Sequence, residues 1–140
     1  MMLEGIFRTP DERFTNLPGF AWEPQYFETG EDLRIAYIDE GRGPLVFLLH
    51  GMPSWSFLWR KTIPPLLEAG CRVVAPDLLG FGRSDKPTNI ADYTYPRHVA
   101  AIEELIDSLG AARIHFVFHD WGGPIGTLVA ANNTDRIAST

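Results

Sequence analysis

The stretch FHDWGG at residues 118–123 decides the fold, because it joins an apolar run to an apolar helical segment. The apolar run that ends at its first residue, IHFVF at 114–118, predicts a strand that continues into His119. The residues after it, PIGTLVAA at 124–131, predict a helix. One carboxylate, Asp120, lies between the two segments. We therefore predict a sharp strand-to-helix turn with Asp120 at its apex.

A turn of this kind, built from a nucleophile and small residues, is the nucleophile elbow of α/β-hydrolases. A serine is expected at the apex of an esterase elbow, and Asp120 replaces it here. A carboxylate attacks saturated carbon and leaves an alkyl ester, so the electrophile is a carbon–halogen bond or an epoxide. The alternative is a helix N-cap, which is compatible because a helix N-terminus also favours the carboxylate form. Gly122 and Gly123 are expected to let the strand and the helix pack closely.

Composition limits the class of protein. The chain has 140 residues, 45% hydrophobic and 21% charged, which are the values of one globular domain rather than of a disordered segment. The net charge of −6 comes without a basic cluster, so a nucleic-acid partner is not expected. Cys71 is the only cysteine, and neither a signal peptide nor a membrane-spanning run is present in the sequence. We expect a cytoplasmic protein that binds no membrane, no metal and no cofactor.

Strand and helix patterns alternate along the chain. Alternating or continuous apolar runs predict strands at residues 33–39, 45–49 and 71–76. Helical spacing is found at residues 55–69, with a break at Pro64–Pro65, and at residues 99–109, ending near Gly110. This order is typical of an α/β fold with a mostly parallel, doubly wound sheet of the α/β-hydrolase type. We expect residues 1–30 to form an arm and a first strand, and residues 31–140 to form the first part of the core domain.

In such sheets the site lies beyond the carboxyl ends of the strands, where His50, Gly51, Asp77 and Asp120 all fall. The sequence HGMP at residues 50–53 follows a buried strand, and a backbone N–H after this turn is a candidate arm of an oxyanion hole. The N–H of Trp121 is the candidate second arm. A tight turn without function is the alternative for this segment.

The Trp121 indole N–H, which can only donate, is a candidate donor to a departing halide, and a core aromatic is the alternative. Other motifs are weaker. GFGRS at residues 80–84 lacks the ending of a phosphate loop, and no serine lies at an elbow. We expect His98 and His115 to be structural, and His119 to point to the sheet face opposite Asp120.

The chain resembles haloalkane dehalogenases. The resemblance covers nearly all of residues 8–137 and rests on RTPDERF at 8–14, HGMPSWSFLWR at 50–60, residues 77–87 and HDWGG at 119–123. It implies Asp120 as the nucleophile, the N–H groups of Met52 and Trp121 as the oxyanion hole, and Trp121 as a halide donor. His50, Gly51, Pro53, Gly122 and Gly123 complete the motifs. Met52 and Phe118 depart from the family pattern, in which position 52 carries Glu or Asn and position 118 a smaller residue.

The resemblance further implies that the complete protein converts a small apolar haloalkane and water to an alcohol and halide. The second halide donor, the acid partner and the catalytic histidine of the family correspond to positions after Thr140, so we expect this chain to be the N-terminal half and to lack the base. Epoxide hydrolases share the HGxP and HDWG elements, and a non-catalytic truncated chain is the third hypothesis. We also expect the strand at 114–119 to have no partner on its far edge.

Overall fold

The computed structural model describes residues 2–140 and contains one six-stranded sheet, one small three-stranded sheet and three α-helices. The strands are β1 (Met2–Leu3), β2 (Ile6–Phe7), β3 (Gln25–Glu28), β4 (Arg34–Glu40), β5 (Leu45–Leu49), β6 (Arg72–Pro76), β7 (Lys86–Pro87), β8 (Ile114–Phe118) and β9 (Ile137–Ser139). The helices are α1 (Ile63–Glu68), α2 (Tyr95–Leu109) and α3 (Gly122–Asn132).

The large sheet has the strand order β3-β4-β6-β5-β8-β9. The pairs β5–β6, β5–β8 and β8–β9 are parallel, whereas β3–β4 and β4–β6 are antiparallel. Because β5, β6 and β8 are parallel neighbours, their carboxyl ends meet at one edge of the sheet. The predicted α/β architecture with a mostly parallel sheet is therefore the architecture that forms.

The central strand β5 is buried along its whole length, as its continuous apolar sequence predicts. Alternate side chains of β5 serve different layers, because successive residues of a strand point to opposite faces. Phe47 and Leu49 pack with α2 and α3, while Val46 and Leu48 pack with α1 and the N-terminal arm. The sheet is thus covered on both faces, and β5 is held rigidly up to the residue that precedes His50.

The helices start and stop at residues that the sequence marks. Pro64 and Pro65 lie in the first turn of α1, where a missing N–H costs nothing, and the preceding turn is a separate 3-10 helix at Ser56–Lys61. The predicted helix at 55–69 is therefore two segments. Thr94 caps α2 through its hydroxyl, and Gly110 ends α2 in the left-handed conformation, as expected for a glycine C-cap.

The far edge of β8 is paired with another strand near its start. Our expectation that this edge has no partner is therefore wrong in part. Residues after α3 turn back through a 3-10 helix at Thr134–Arg136, and β9 pairs in parallel with the start of β8. The pairing involves Ile114 with Ile137 and His115 with Ser139. The sequence did not indicate β9, because a three-residue strand is too short for a periodic pattern.

A partly buried ion pair fastens the N-terminal arm to the core. Arg8 donates from Nε and Nη2 to the two oxygens of Asp85, at 2.5 and 3.0 Å, and the Asp85 side chain is fully buried. The backbone N–H of Arg34 donates to the same carboxylate at 2.9 Å. Burial alone raises the pKa of Asp85, but the hydrogen bonds from Arg8 and Arg34 outweigh it, so the pKa lies below its ordinary value.

Asp85→Asn is expected to lower the free energy of unfolding by about 2–3 kcal/mol at neutral pH, because charge-assisted hydrogen bonds to a buried carboxylate are lost. A lowered pKa stabilises the fold above the ordinary carboxyl pKa, and this contribution is lost as the pH falls through the lowered value. Urea denaturation from neutral to acidic pH measures both effects. Asp39→Asn is the matched control, since Asp39 binds Arg72 in the same two-pronged way but keeps 22% of its side chain exposed, so a smaller loss of about 1 kcal/mol is expected. Equal losses in the two variants would contradict this account.

Within residues 2–140, no helix has the length and apolar character needed to cross a lipid bilayer.

Candidate active site

The turn between β8 and α3 holds Asp120 in an unusual backbone conformation. Its φ is +53°, in the left-handed region that non-glycine residues rarely adopt and that occurs at strained functional sites. The turn is closed by hydrogen bonds from the N–H of Gly122 to the carbonyl of His119 and from the N–H of Gly123 to that of Asp120, at 3.0 and 2.8 Å. The structure thus places Asp120 at the apex of a strand-to-helix turn, as predicted.

The carboxylate of Asp120 reaches across to the loop after β5. The backbone N–H of Met52 donates to its Oδ1 at 2.9 Å. Hydrogen bonds from the N–H groups of Trp121 and Met52 lower the pKa of Asp120, and the nearby His119 adds to this, so the group is a carboxylate at neutral pH. No side-chain hydrogen bond caps α3, whose N-cap position is Trp121. Asp120 therefore lies one residue before the N-cap position, and its carboxylate accepts from the N–H of the N-cap residue.

Gly51 is required for this approach. A Cβ built on Gly51 would lie 2.6 Å from Oδ1 and 2.7 Å from Cβ of Asp120, closer than real side chains come. Ser54 donates to the Gly51 carbonyl through both its N–H and its hydroxyl, at 3.0 and 2.9 Å, and so closes the turn that contains Met52 and Pro53. Only a residue without a side chain allows the two loops to meet at hydrogen-bonding distance.

The two glycines after Trp121 differ. A Cβ on Gly122 would press against the backbone carbonyls of Leu49 and His50, the latter at 2.6 Å, whereas a Cβ on Gly123 would meet nothing within 4 Å. The expectation that the pair as a whole permits close strand–helix packing is therefore wrong for Gly123. Gly122 alone allows α3 to pack against the end of β5.

The bulky Phe118 fits because α3 carries a glycine, and no side chain, at the position where the phenyl ring packs. A Cβ on Gly126 would lie 2.5 and 2.7 Å from ring atoms of Phe118, so this glycine makes the space that the ring occupies. The departure from the family pattern at position 118 is compensated within α3. In the sequence, Gly126 is visible only as a helical glycine with no evident purpose.

An apolar cleft of about 420 Å³ opens beside the elbow. Met52 and Trp121, which are 57% and 51% exposed, form one side of it. The rest of the wall includes Leu78, Phe81, Tyr93, Tyr95, His98 and Ile125. Sequence reasoning missed most of these residues, since they come from the loop after β6 and the start of α2, which only the tertiary fold brings to the elbow. The volume suits a small apolar molecule.

The tyrosines of the cleft are already engaged through their hydroxyl groups. Tyr93 donates to the carbonyl of Pro87 at 2.8 Å, and Tyr95 donates to the carbonyl of Pro124 at 2.7 Å. Neither proton is available to a ligand without breaking one of these bonds. The cleft therefore presents mainly apolar surface, with the Trp121 side chain in its wall.

None of the four histidines forms a hydrogen bond with the Asp120 carboxylate in the described part of the chain. His115 bonds the hydroxyl of Ser139 at 2.8 Å on β8, and His119 is exposed after the strand. His98 lines the cleft with its Nδ1 buried and unpaired, and burial lowers its pKa. His50 is fully buried beneath the elbow.

Asp77, another polar residue at a strand end, forms hydrogen bonds with loop residues and does not line the cleft. It is buried and accepts hydrogen bonds from the N–H groups of Ser56 and Arg83, at 2.8 and 2.9 Å. Among residues 2–140, no three His, Cys, Asp or Glu side chains are grouped in a way that would hold a metal ion. Asp120 accepts from the N–H of Met52 and directly precedes Trp121 in the chain, and both of these neighbours line the cleft.

Comparison with known proteins assigns the chain to a family. Residues 44–140 match the model of the alpha/beta hydrolase fold family. The chain belongs to this family.

Within the family its relatives include haloalkane dehalogenases. It is 50% identical to the haloalkane dehalogenase of Mycobacterium marinum over 139 residues, which cover 95% of this chain and 47% of the relative. The tetrameric haloalkane dehalogenase from Paraglaciecola agarilytica superimposes with a TM-score of 0.90 at 46% identity, covering 94% of this chain and 46% of that one. An epoxide hydrolase from Vigna radiata gives a TM-score of 0.77 at 36% identity, covering 84% and 38%. The chain thus spans about half the length of the relatives that it matches.

Proposed function

We propose that the complete protein hydrolyses small apolar haloalkanes through an alkyl ester on Asp120. The observation that carries this proposal is the Asp120 carboxylate, held at the apex of the elbow by the N–H of Met52, a residue that lines an apolar cleft together with Trp121. The 50% identity to a haloalkane dehalogenase supports the choice of substrate class. Water is the second substrate, and an alcohol, a halide ion and a proton are the products.

In the first step, one carboxylate oxygen attacks the carbon that bears the halogen. The carbon–oxygen bond forms as the carbon–halogen bond breaks, and the halide leaves with the bonding electrons. The lowered pKa of Asp120 keeps the nucleophile ionised at neutral pH. The N–H groups of Met52 and Trp121 hold the second carboxylate oxygen, so the attacking oxygen is oriented before the substrate arrives.

Trp121 has a second role in the proposal. Its side chain is half exposed and lies in the wall of the cleft, directly after the nucleophile in the chain. Its indole N–H donates and cannot accept, so it suits a departing anion in apolar surroundings. We assign to it one hydrogen bond to the halide.

In the second step, water adds to the ester carbonyl and the alcohol leaves, which restores the carboxylate. The same two N–H groups stabilise the negative oxygen of the tetrahedral intermediate. This step needs a general base beside the ester. No histidine of residues 2–140 forms a hydrogen bond with the Asp120 carboxylate. We therefore propose that the reaction catalysed by these 140 residues alone stops at the alkyl ester.

Epoxide hydrolysis is the second candidate, favoured by the likeness to the Vigna radiata enzyme. The same carboxylate would open an epoxide to a hydroxyalkyl ester, with an acid to protonate the departing oxygen. Tyr93 and Tyr95 line the cleft, and each donates its hydroxyl proton to a backbone carbonyl. The higher identity to a haloalkane dehalogenase, 50% against 36%, supports the haloalkane as the first candidate.

Incubating the chain with n-butyl bromide is expected to release at most one equivalent of bromide and to add one butyl group to Asp120. Ion chromatography measures the bromide, and intact-mass and peptide mass spectrometry locate the group. Incubation with butylene oxide is the parallel experiment. A hydroxybutyl adduct without a butyl adduct would favour the epoxide hydrolase. Sustained release of bromide would disprove the proposal that the reaction stops at the alkyl ester. No adduct with either compound would favour a non-catalytic chain.

A further inference from the structure

His50 lies beneath the elbow, fully buried, with both ring nitrogens bonded to backbone atoms. Its Nδ1 is 2.8 Å from the carbonyl oxygen of Gly51, and its Nε2 is 2.9 Å from the backbone nitrogen of Leu78. A carbonyl oxygen can only accept a hydrogen bond, and a backbone N–H can only donate one. His50 is therefore neutral, with its proton on Nδ1 and the lone pair of Nε2 accepting from Leu78.

The surroundings of His50 agree with a neutral ring. Burial lowers its pKa most, and the nearby His119 lowers it further, whereas the bond to Gly51 and the charge of Asp77 act in the opposite direction. The ring of Phe81 packs edge-on against the imidazole at 5.6 Å between centroids. A second proton on Nε2 would face the N–H of Leu78, and the bond to that residue would be lost.

The carbonyl that His50 holds belongs to the peptide unit that binds Asp120. In a trans peptide the C=O and the N–H point in opposite directions, so fixing the Gly51 oxygen aims the Met52 N–H. Three donors converge on this oxygen: His50 Nδ1, the Ser54 N–H and the Ser54 hydroxyl. On the opposite side of the same unit, the Met52 N–H points at Asp120 Oδ1 at 2.9 Å. Hydrogen bonds in such a chain polarise one another and strengthen the last donor.

We propose that His50 is a positioning residue for the oxyanion hole, which aims the Met52 N–H at Asp120 by holding the Gly51 carbonyl with a neutral, Nδ1-protonated ring. This inference rests on the proposed function of the Met52 N–H and Asp120. It adds a link that neither loop provides alone, because Nε2 fastens the same imidazole to Leu78, a wall residue of the cleft. The loop after β6 and the oxyanion loop are thereby joined through one side chain.

Two substitutions of His50 separate the contribution of its Nδ1 hydrogen bond from that of its Nε2 hydrogen bond. In His50→Asn, the amide nitrogen can take the place of Nδ1 and still donate to Gly51, but the acceptor for Leu78 is lost. In His50→Gln, the amide oxygen can take the place of Nε2 and accept from Leu78, but the donor to Gly51 is lost. Both variants remove one buried hydrogen bond, so a purely structural role predicts similar effects from both.

The readout is the pKa of the Asp120 carboxyl, followed by carbon-13 NMR in the 140-residue chain, together with the chemical shift of the Met52 amide proton. With His50→Gln we expect the pKa of Asp120 to rise towards its ordinary value and the Met52 proton to move upfield. With His50→Asn we expect both to stay near the wild-type values. His115→Gln is the control, because His115 lies on β8 and bonds Ser139, and it should change neither quantity.

Nitrogen-15 NMR of the wild-type ring tests the same proposal if a variant does not fold. A protonated Nδ1 and an unprotonated Nε2 are expected at neutral pH, and the opposite tautomer would overturn the proposal. Equal Asp120 pKa values in wild type, His50→Gln and His50→Asn would overturn it too. Alkylation of Asp120 is a separate measurement, and its absence would refute the proposed function. An Asp120 pKa that does not change when His50 is substituted would refute only this inference.

Discussion

Replacing Asp120 by asparagine is expected to abolish the butyl adduct and the release of bromide, with a loss in rate of at least about 10⁴-fold. The amide has nearly the same size but carries no negative charge and is a poor nucleophile for saturated carbon. The oxyanion N–H groups and the cleft remain in place, so no other side chain replaces the carboxylate. Intact-mass spectrometry after incubation with n-butyl bromide measures the adduct, and ion chromatography measures the halide.

Asp32→Asn is the matched control for this experiment. Asp32 is exposed and has a φ of +58°, close to the +53° of Asp120. Both substitutions remove one negative charge, and asparagine tolerates the left-handed conformation at both positions. Asp32→Asn should therefore react as the wild type does. An undiminished adduct in Asp120→Asn, or one mapped to another carboxylate, would refute Asp120 as the nucleophile.

Gly122→Ala is expected to lower the free energy of unfolding by about 2–3 kcal/mol and to impair alkylation of Asp120. The added methyl group would lie 2.6 Å from the His50 carbonyl oxygen and still closer to that of Leu49. Both atoms are backbone at the end of the buried strand β5, which cannot move aside as a flexible side chain would. The cost is that of overpacking a close-packed interior. Urea denaturation followed by far-UV circular dichroism measures it.

The neighbouring glycine supplies the control for this substitution. Gly123 also lies in α3, but a Cβ there meets nothing within 4 Å. Gly123→Ala should leave stability unchanged or raise it by up to about 1 kcal/mol, because alanine loses less backbone entropy in a helix. If the two variants lost stability equally, the close approach of α3 to β5 would not be the cause of the loss in Gly122→Ala.

Local sequence determined much of the fold. Five consecutive apolar residues at 45–49 predicted a strand buried on both faces, and the structure contains that strand with the same bounds. The positions of Gly110 and of the elbow were predicted equally well, because a left-handed C-cap and a strand-to-helix turn are encoded by a few neighbouring residues. Strand β9 was not predicted, since its pairing with β8 depends on how the chain returns after α3.

The candidate site divides in the same way. The sequence by itself determined which residue carries the carboxylate, that it stands at a strand-to-helix turn, and that HGMP follows another strand end. Only the tertiary structure decided that the Met52 N–H points at Asp120, that Gly122 and not Gly123 makes the close contact, and that His50 holds the peptide between the two loops. The physical reason is that turn and strand preferences act between residues close in the chain. Hydrogen bonds such as Met52 to Asp120 join residues far apart in the chain, and only the packing of helices on the completed sheet brings them within reach.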